Sequence, residues 1–327
     1  MTTSISAPTT SATQPAAGLD RAVAVINGKG GTLKTSIVSS LGALIAESGT
    51  RVLLVDFDPQ GNLSEDLGLG EETDDGEQQL GSVPSGRAIQ PVSTGRPRLD
   101  IVYGGPHLHD LHAVMQSRQA REPDLWMHAL ARSLSATDQA REQPYDLILI
   151  DCPPGNEALQ TLALVAARYA VIPTRSDSSS RKGLREVARR FLTVRPHNPD
   201  LELLGVVRTG ITTSAKGIRE EVREEIDAEL GGVAPVFETC IRYAERPAKA
   251  VRDTGRLPHE LRSRAEEQHK ARFERLRAQL QGETRDQGDV VLPPSISNLA
   301  GDYAALSTEF VNLLLSAESE VRGRHRR

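Results

Sequence analysis

The residues best suited to chemistry form a glycine- and lysine-rich loop near the N-terminus. They lie between an apolar run and a helical pattern and read Gly28, Lys29, Gly30, Gly31, Thr32, Leu33, Lys34, Thr35 and Ser36. Glycine has no Cβ, so the backbone can wrap closely around phosphate with its N–H groups pointing inward. The N-terminus of the following helix adds partial positive charge. Lys34 can then reach the β- and γ-phosphates, and the Thr35 hydroxyl can bind Mg²⁺. All nine residues are therefore predicted to form a nucleotide-binding P-loop.

Acidic residues end two further apolar runs. Asp56 and Asp58 close the first run and Asp151 closes the second. The carboxyl ends of parallel strands border the ligand crevice of an open α/β sheet, so these carboxylates are expected beside the loop. Asp151 is placed there to hold Mg²⁺ through water.

The elements that must position these residues follow from hydrophobic periodicity. Short continuous apolar runs favour buried strands, and apolar residues at helical spacing favour helices. Strands are predicted over residues 22–26, 52–56, 99–103, 146–151, 169–173, 203–208 and 236–241. Helices are predicted over residues 34–47, 123–134, 159–167, 181–192, 218–230 and 297–317. This alternation predicts an α/β fold with a single doubly wound, mostly parallel sheet flanked by helices.

Composition sets the limits of this fold. Residues 1–19 are rich in Ser, Thr, Ala and Pro and are expected to form a disordered tail before one domain over 20–327. Within that domain, 68–97 is expected to be a surface loop and 259–294 a charged helical insertion. The net charge of −5 excludes a uniformly basic nucleic-acid binder, so any DNA contact needs a local patch. The two cysteines form no disulfide framework, which favours a reduced cytosolic setting.

The motifs together resemble the ParA/MinD superfamily of P-loop ATPases. The loop matches the family's deviant Walker A pattern K-G-G-x-x-K-[ST]. The segment from Asp56 to Asn62 resembles its D-x-D-P-Q-G-N element, and the segment from Asp151 to Pro154 resembles Walker B with switch II. The resemblance covers roughly residues 22–255 and the last helix, and it implies a SIMIBI-like fold that uses ATP and Mg²⁺.

Roles for the site residues follow from that resemblance. Lys29 is the signature lysine that reaches the partner's nucleotide in a face-to-face ATP dimer. Lys29, Lys34 and Asp58 are the catalytic candidates, with Asp58 orienting the attacking water. Thr35, Asp56 and Asp151 are the metal candidates. No arginine finger or glutamate base is evident in the sequence, so slow intrinsic hydrolysis is expected until a partner improves the site.

The resemblance also implies partners. Members of the family bind nonspecific double-stranded DNA as ATP dimers, and a ParB-like centromere-binding protein stimulates hydrolysis, so a cytoplasmic, nucleoid-associated protein is expected. The candidate DNA contacts are Arg242, Arg246, Lys249, Arg252, Arg322 and Arg324. Arg242 stands where the family often has Pro.

Other readings remain open on the sequence alone. MinD-like relatives cycle on membranes through a C-terminal amphipathic helix, and the residues from Phe310 to Leu315 could form one. However, acids flank this stretch, and a terminal helix needs the same apolar residues to pack on its own domain. No membrane partner is therefore expected. A ParA-like ATPase that positions a protein cargo, or a nucleotide-gated protein without turnover, would carry the same motifs.

Overall fold

The computed structural model describes residues 18–70, 73–122, 125–175, 178–211, 235–267 and 295–324. Its strands are β1 (Ala22–Val25), β2 (Val52–Asp56), β3 (Val92–Ser93), β4 (Leu99–Val102), β5 (Leu147–Asp151), β6 (Tyr169–Arg175), β7 (Glu202–Ile211) and β8 (Val236–Arg242). They form one sheet in the order β3-β4-β2-β5-β1-β6-β7-β8. Every neighbouring pair is parallel except β3 and β4, which are antiparallel.

Helices flank both faces of this sheet. They are α1 (Lys34–Glu47), α2 (Asn62–Leu67), α3 (Glu77–Ser82), α4 (His107–Arg121), α5 (Ala129–Gln139), α6 (Glu157–Ala166), α7 (Ser178–Val194), α8 (Glu245–Thr254), α9 (258–267) and α10 (Ser295–Arg324). Two 3-10 turns are present: Val83–Ser85 directly follows α3, and Trp126–His128 directly precedes α5.

The central strands are continuous apolar runs because both of their faces are covered. Ala24 and Ile150 belong to the layer that packs against α5 and α6. Val25 and Leu149, one residue along each strand, belong to the layer under α1 and α10. Two hydrophobic layers on one mostly parallel sheet confirm the predicted doubly wound fold.

The segment 68–97, expected to be a surface loop, contains α3, a 3-10 turn and the edge strand β3. Val83 and Ile89 are buried, and so is the polar Gln79. The Gln79 amide donates to the carbonyls of Asp56 and Tyr103, both at 2.7 Å. The expectation is wrong because the polar residues of this segment make long-range hydrogen bonds that composition does not reveal.

Other predicted boundaries fare differently. Leu19 is 6% exposed and its carbonyl accepts a hydrogen bond from the Ala22 N–H, so the domain begins before the predicted end of the tail. Residues 1–17, the predicted helix over 218–230 and residues 268–294 of the charged insertion lie outside the described residues.

A phosphate and metal site at the carboxyl edge of the sheet

The P-loop joins β1 to α1 and needs left-handed backbone at two positions. Gly31 has φ +71°, a conformation that glycine adopts without strain. Leu33, the residue before the helix, has φ 65°, which costs a non-glycine residue roughly 1 kcal/mol. Its side chain packs against the hydrophobic layer under α1, which offsets part of that cost.

The start of α1 is arranged to receive an anion. No side chain caps this end, and the first turn contains no acidic residue. The first amides of a helix have no intrahelical acceptor and carry the positive end of the helix dipole. Together with the loop amides, they form an anion-binding concavity suited to phosphate.

Lys34 is the buried cation of the site. Its side chain is only 6% exposed, and Nζ donates to the Lys29 carbonyl at 3.1 Å, across the loop. Burial lowers the pKa of Lys34, while the nearby carboxylates of Asp151 and Asp58 oppose that shift. Lys29 is itself anchored by its N–H, which donates to Asn27 Oδ1 at 2.9 Å.

The two strand-end acids lie side by side. Asp56 and Asp151 are register partners on β2 and β5, and both are buried. The Asp56 carboxylate accepts hydrogen bonds from the N–H groups of Asp58 at 3.0 Å and Leu63 at 3.1 Å. Burial, reinforced by the charge of Asp151, nevertheless raises the pKa of Asp56 well above its ordinary value.

Asp151 has a different environment. Both carboxylate oxygens are buried, and neither makes a hydrogen bond within the described part of the chain. Burial raises the pKa of Asp151 to about 7, against the opposing influence of the Thr35 hydroxyl and Lys34. A buried carboxylate with unpaired oxygens is stabilised by a cation. With Asp56 and the Thr35 hydroxyl nearby, the oxygen donors fit Mg²⁺ in a nucleotide complex.

Asp58 is buried close to Lys34 and Asp151. It is 7% exposed, and one of its carboxylate oxygens accepts from the Gln60 N–H at 3.0 Å. Its carbonyl accepts from the N–H groups of Gly61 and Gly105.

Sequence reasoning missed several residues that shape this site. A Cβ at Gly104 would lie 2.6 Å from the Asp56 carboxylate, so the Gly104-Gly105 pair after β4 was the available signal. Gln160 donates to the Pro153 carbonyl at 2.7 Å and holds switch II. Asn156 caps α6 and also contacts the His112 ring at 2.6 Å.

The candidate DNA-binding cations are split between two places. Arg246, Lys249 and Arg252 are exposed and recur every three residues along α8. Arg322 is exposed near the end of α10, where Glu318 pairs with Arg21, just before β1. α8 follows β8 and so lies where the strands have their carboxyl ends. Arg21 precedes β1 and so lies where the parallel strands have their amino ends. These two groups therefore do not form one patch. The Arg324 side chain lies outside the described residues.

Arg242 is already occupied. Its guanidinium donates to both carboxylate oxygens of Asp302, at 2.6 and 2.8 Å, and joins β8 to α10. The hydrogen bond to Asp302 raises the pKa of Arg242, although burial alone would lower it. This contact gives Arg242 a structural role, and a bidentate pair leaves little of the guanidinium for phosphate.

The apolar residues of α10 face inward. Phe310 and Leu314 are buried in the layer under α1, and Val311 and Leu313 pack against it. Leu315 is 48% exposed. Among the described residues, no helix combines the length and apolar character needed to cross a bilayer.

The fold and this site define a P-loop ATPase of the ParA/MinD type. A family model described as an AAA domain matches residues 20–203. The chromosome partitioning protein ParA of Caulobacter vibrioides is 32% identical over 234 residues, covering 70% of this chain and 84% of that protein. The sporulation initiation inhibitor protein Soj of Bacillus subtilis is 35% identical over 237 residues, covering 70% and 88%. The chain belongs to the ParA family of partitioning ATPases.

A solved structure shares the fold. Cobyrinic acid a,c-diamide synthase from Mycobacterium smegmatis, with bound ADP and magnesium, is 31% identical. The match covers 72% of this chain and 92% of that one, with a TM-score of 0.57.

Proposed function

We propose that this protein is an ATP-switched DNA carrier that segregates or positions plasmid or chromosomal DNA. ATP closes two subunits across their P-loops, the dimer binds DNA without sequence preference, and a ParB-like partner triggers hydrolysis and release. The observation that carries the proposal is the placement of Lys34 between the loop backbone and two buried carboxylates, in a chain that belongs to the ParA family.

The proposal gives a task to each residue of the site. The amides of the loop and of α1 bind the phosphates. Lys34 neutralises the negative charge that develops as the γ-phosphoryl group is transferred to water. Asp58 accepts a hydrogen bond from the attacking water and orients it. Thr35, Asp56 and Asp151 would hold Mg²⁺, which supplies charge neutralisation when bound. The related Mycobacterium smegmatis protein is solved with ADP or an ATP analogue, in each case with magnesium.

Lys29 is assigned to the partner subunit's nucleotide. It is partly buried, and its backbone N–H is held by Asn27. A second subunit placed face to face would bring its own Lys29 to this nucleotide. Dimerisation would then depend on ATP.

The α8 cations are the DNA contacts that the geometry favours. Arg246, Lys249 and Arg252 are exposed on one short helix that starts three residues after β8, at the same edge as the nucleotide site. Lysine and arginine neutralise phosphates without reading bases, so binding should weaken steeply with salt. Such a protein would be cytoplasmic and associated with the nucleoid.

The buried face of α10 argues against a membrane-cycling role, because the apolar residues such a role needs are packed in the core. A protein cluster in place of DNA as the transported cargo would use the same switch.

Charge removal on α8 tests the proposed function. Arg322→Ala is the matched control, because it removes an exposed arginine at the opposite edge of the sheet. The double variant Lys249→Ala/Arg252→Ala should lose affinity for arbitrary duplex DNA in ATP. The slope of log affinity against log salt should fall by about 2, since each lost phosphate contact contributes roughly 0.9. Wild-type affinity and slope in the double variant would contradict the assignment.

A further inference from the structure

Helix α2 is fastened to the nucleotide site at its first turn. The Leu63 N–H donates to the Asp56 carboxylate at 3.1 Å, and Gly61, just before the helix, donates to the Asp58 carbonyl at 3.0 Å. Any movement of these two acids is therefore passed to a helix only six residues long.

The other end of α2 touches α8. Gly68 ends α2 and Gly255 ends α8, both with positive φ, at +68° and +60°. A Cβ on Gly255 would lie 2.2 Å from the Gly68 Cα, and a Cβ on Gly68 would lie 2.6 Å from the Gly255 carbonyl oxygen. The backbones meet at a distance that only glycine permits, so the ends of the two helices are in direct contact.

Arg96 closes this junction from the side. Its guanidinium donates to the Leu67 carbonyl at 2.8 Å and to the Gly255 carbonyl at 3.2 Å, so one side chain binds the last turns of both helices. The remaining donors form a bidentate pair with Glu260 at 2.7 and 3.0 Å. Glu260 in turn accepts the Leu257 N–H at 2.7 Å, which holds the start of α9.

The junction is partly shielded from water. The Arg96 and Glu260 side chains are 19% and 22% exposed. A planar fork that satisfies two backbone carbonyls and one carboxylate has a single geometry, and lysine cannot reproduce it. The same two helices also interact electrostatically, because the charge of Arg252 on α8 acts on the buried Asp66 of α2.

We propose that Arg96 is a positioning residue that locks α2 to α8, so that nucleotide binding at Asp56 and Asp58 sets the placement of the basic face of α8. The DNA-affinity part of this inference rests on the proposed function, whereas the mechanical link does not. The contacts form an unbroken chain from the acids through α2 and the Gly68–Gly255 contact to the helix that carries Arg246, Lys249 and Arg252. Coupling between distant sites requires such a contiguous element that both sites can bias.

The test compares two charge-preserving substitutions. Arg96→Lys keeps the positive charge but cannot satisfy Leu67, Gly255 and Glu260 together. Arg98→Lys is the matched control, because Arg98 is exposed and stands two residues away. Hydrogen–deuterium exchange is measured on peptides over 58–68 and 245–255, with and without a non-hydrolysable ATP analogue and Mg²⁺, below the unfolding temperature of each variant.

In the wild type and in Arg98→Lys, the nucleotide should change exchange in both peptides. In Arg96→Lys the change over 58–68 should persist while the change over 245–255 disappears. A loss of stability alone would not remove the response of one peptide and spare the other. Retention of the α8 response in Arg96→Lys, or its absence in the wild type, would overturn the proposal.

A second arm measures DNA affinity in ATP and in ADP. The ratio of the two affinities should be at least about fivefold in the wild type, the low end of allosteric coupling, and should approach one in Arg96→Lys. If the wild type binds no DNA, the proposed function fails while the exchange arm still decides the link. If Arg96→Lys does not fold, Glu260→Gln is used instead, because it keeps an acceptor for the Leu257 N–H and weakens only the pair with Arg96. A partial loss of the α8 response is then expected. A full α8 response in Glu260→Gln would contradict the link.

Discussion

The centre of the sheet and the α8 junction contrast in how their residues come together. At the centre, the P-loop is contiguous in sequence and each acid directly ends an apolar strand, and parallel pairing alone aligns Asp56 with Asp151. At the junction, Arg96 meets Glu260 across 164 positions of sequence, and Gly68 meets Gly255 across still more. The nucleotide site therefore rests on local motifs, whereas its proposed link to α8 rests on long-range contacts.

Removing the buried cation should give the largest effect. Lys34→Ala leaves Asp58 and Asp151 facing a phosphate chain without their neutralising charge, so ATP hydrolysis should fall by at least about a hundredfold. Phosphate release at saturating ATP measures it. Lys249→Ala, on the exposed surface of α8, is the control and should hydrolyse ATP at the wild-type rate. Near-normal turnover in Lys34→Ala would place the phosphates elsewhere.

The role of Asp58 can be separated from the roles of Asp56 and Asp151, which would hold the metal. Asp58→Ala removes the carboxylate proposed to orient the attacking water but spares the P-loop, so ATP-dependent dimers should still form while turnover drops by about a hundredfold or more. Size-exclusion chromatography with ATP and phosphate release measure the two properties. If this variant hydrolyses ATP normally, Asp58 does not position the water.

Alanine substitutions at Gly104 and Gly81 compare tight packing beside the nucleotide site with open space in helix α3. Gly104→Ala would push a methyl group into the Asp56 carboxylate and should destabilise the fold by roughly 1–3 kcal/mol, with reduced hydrolysis. The matched control, Gly81→Ala, adds a methyl that meets nothing within 4 Å in helix α3, and should stabilise the fold by about 0.5–1 kcal/mol. Chemical denaturation measures both, and effects of the same sign would refute the contrast.

The smallest expected effect lies away from the site. Burial, aided by the charges of His197 and Arg132, lowers the pKa of His128. Below the ordinary histidine pKa, the unfolded chain therefore takes up a proton that the folded chain resists, and stability falls as pH decreases through that window. His128→Gln should flatten the decline in unfolding free energy as the pH falls below about 6.5, whereas the exposed control His109→Gln should not. A decline of unchanged steepness in His128→Gln would contradict this.

The sequence predicts the centre of the molecule well for a physical reason. A strand buried on both faces must be continuously apolar, and a phosphate loop must combine glycine with lysine at the start of a helix, so both leave local patterns. The bounds of α1 and β2 were predicted to the residue.

The junction leaves no such pattern. Arg96 lies in a segment whose Gly, Ser and Pro content is typical of loops, and Gln79 is buried only because it bonds the ends of two strands. The pairing of Arg242 with Asp302 likewise depends on where a distant helix docks, so from the sequence Arg242 is only a candidate DNA contact. Side chains that act across the fold become visible only with the fold itself.

The most direct test of the account is binding of the purified protein to arbitrary duplex DNA in ATP, in ADP and without nucleotide, at low and high salt. A nucleotide-switched carrier predicts tight binding only with ATP, weakened steeply by salt. Equal binding in all three states, or none in any, would contradict the DNA-carrier function and leave only the ATPase.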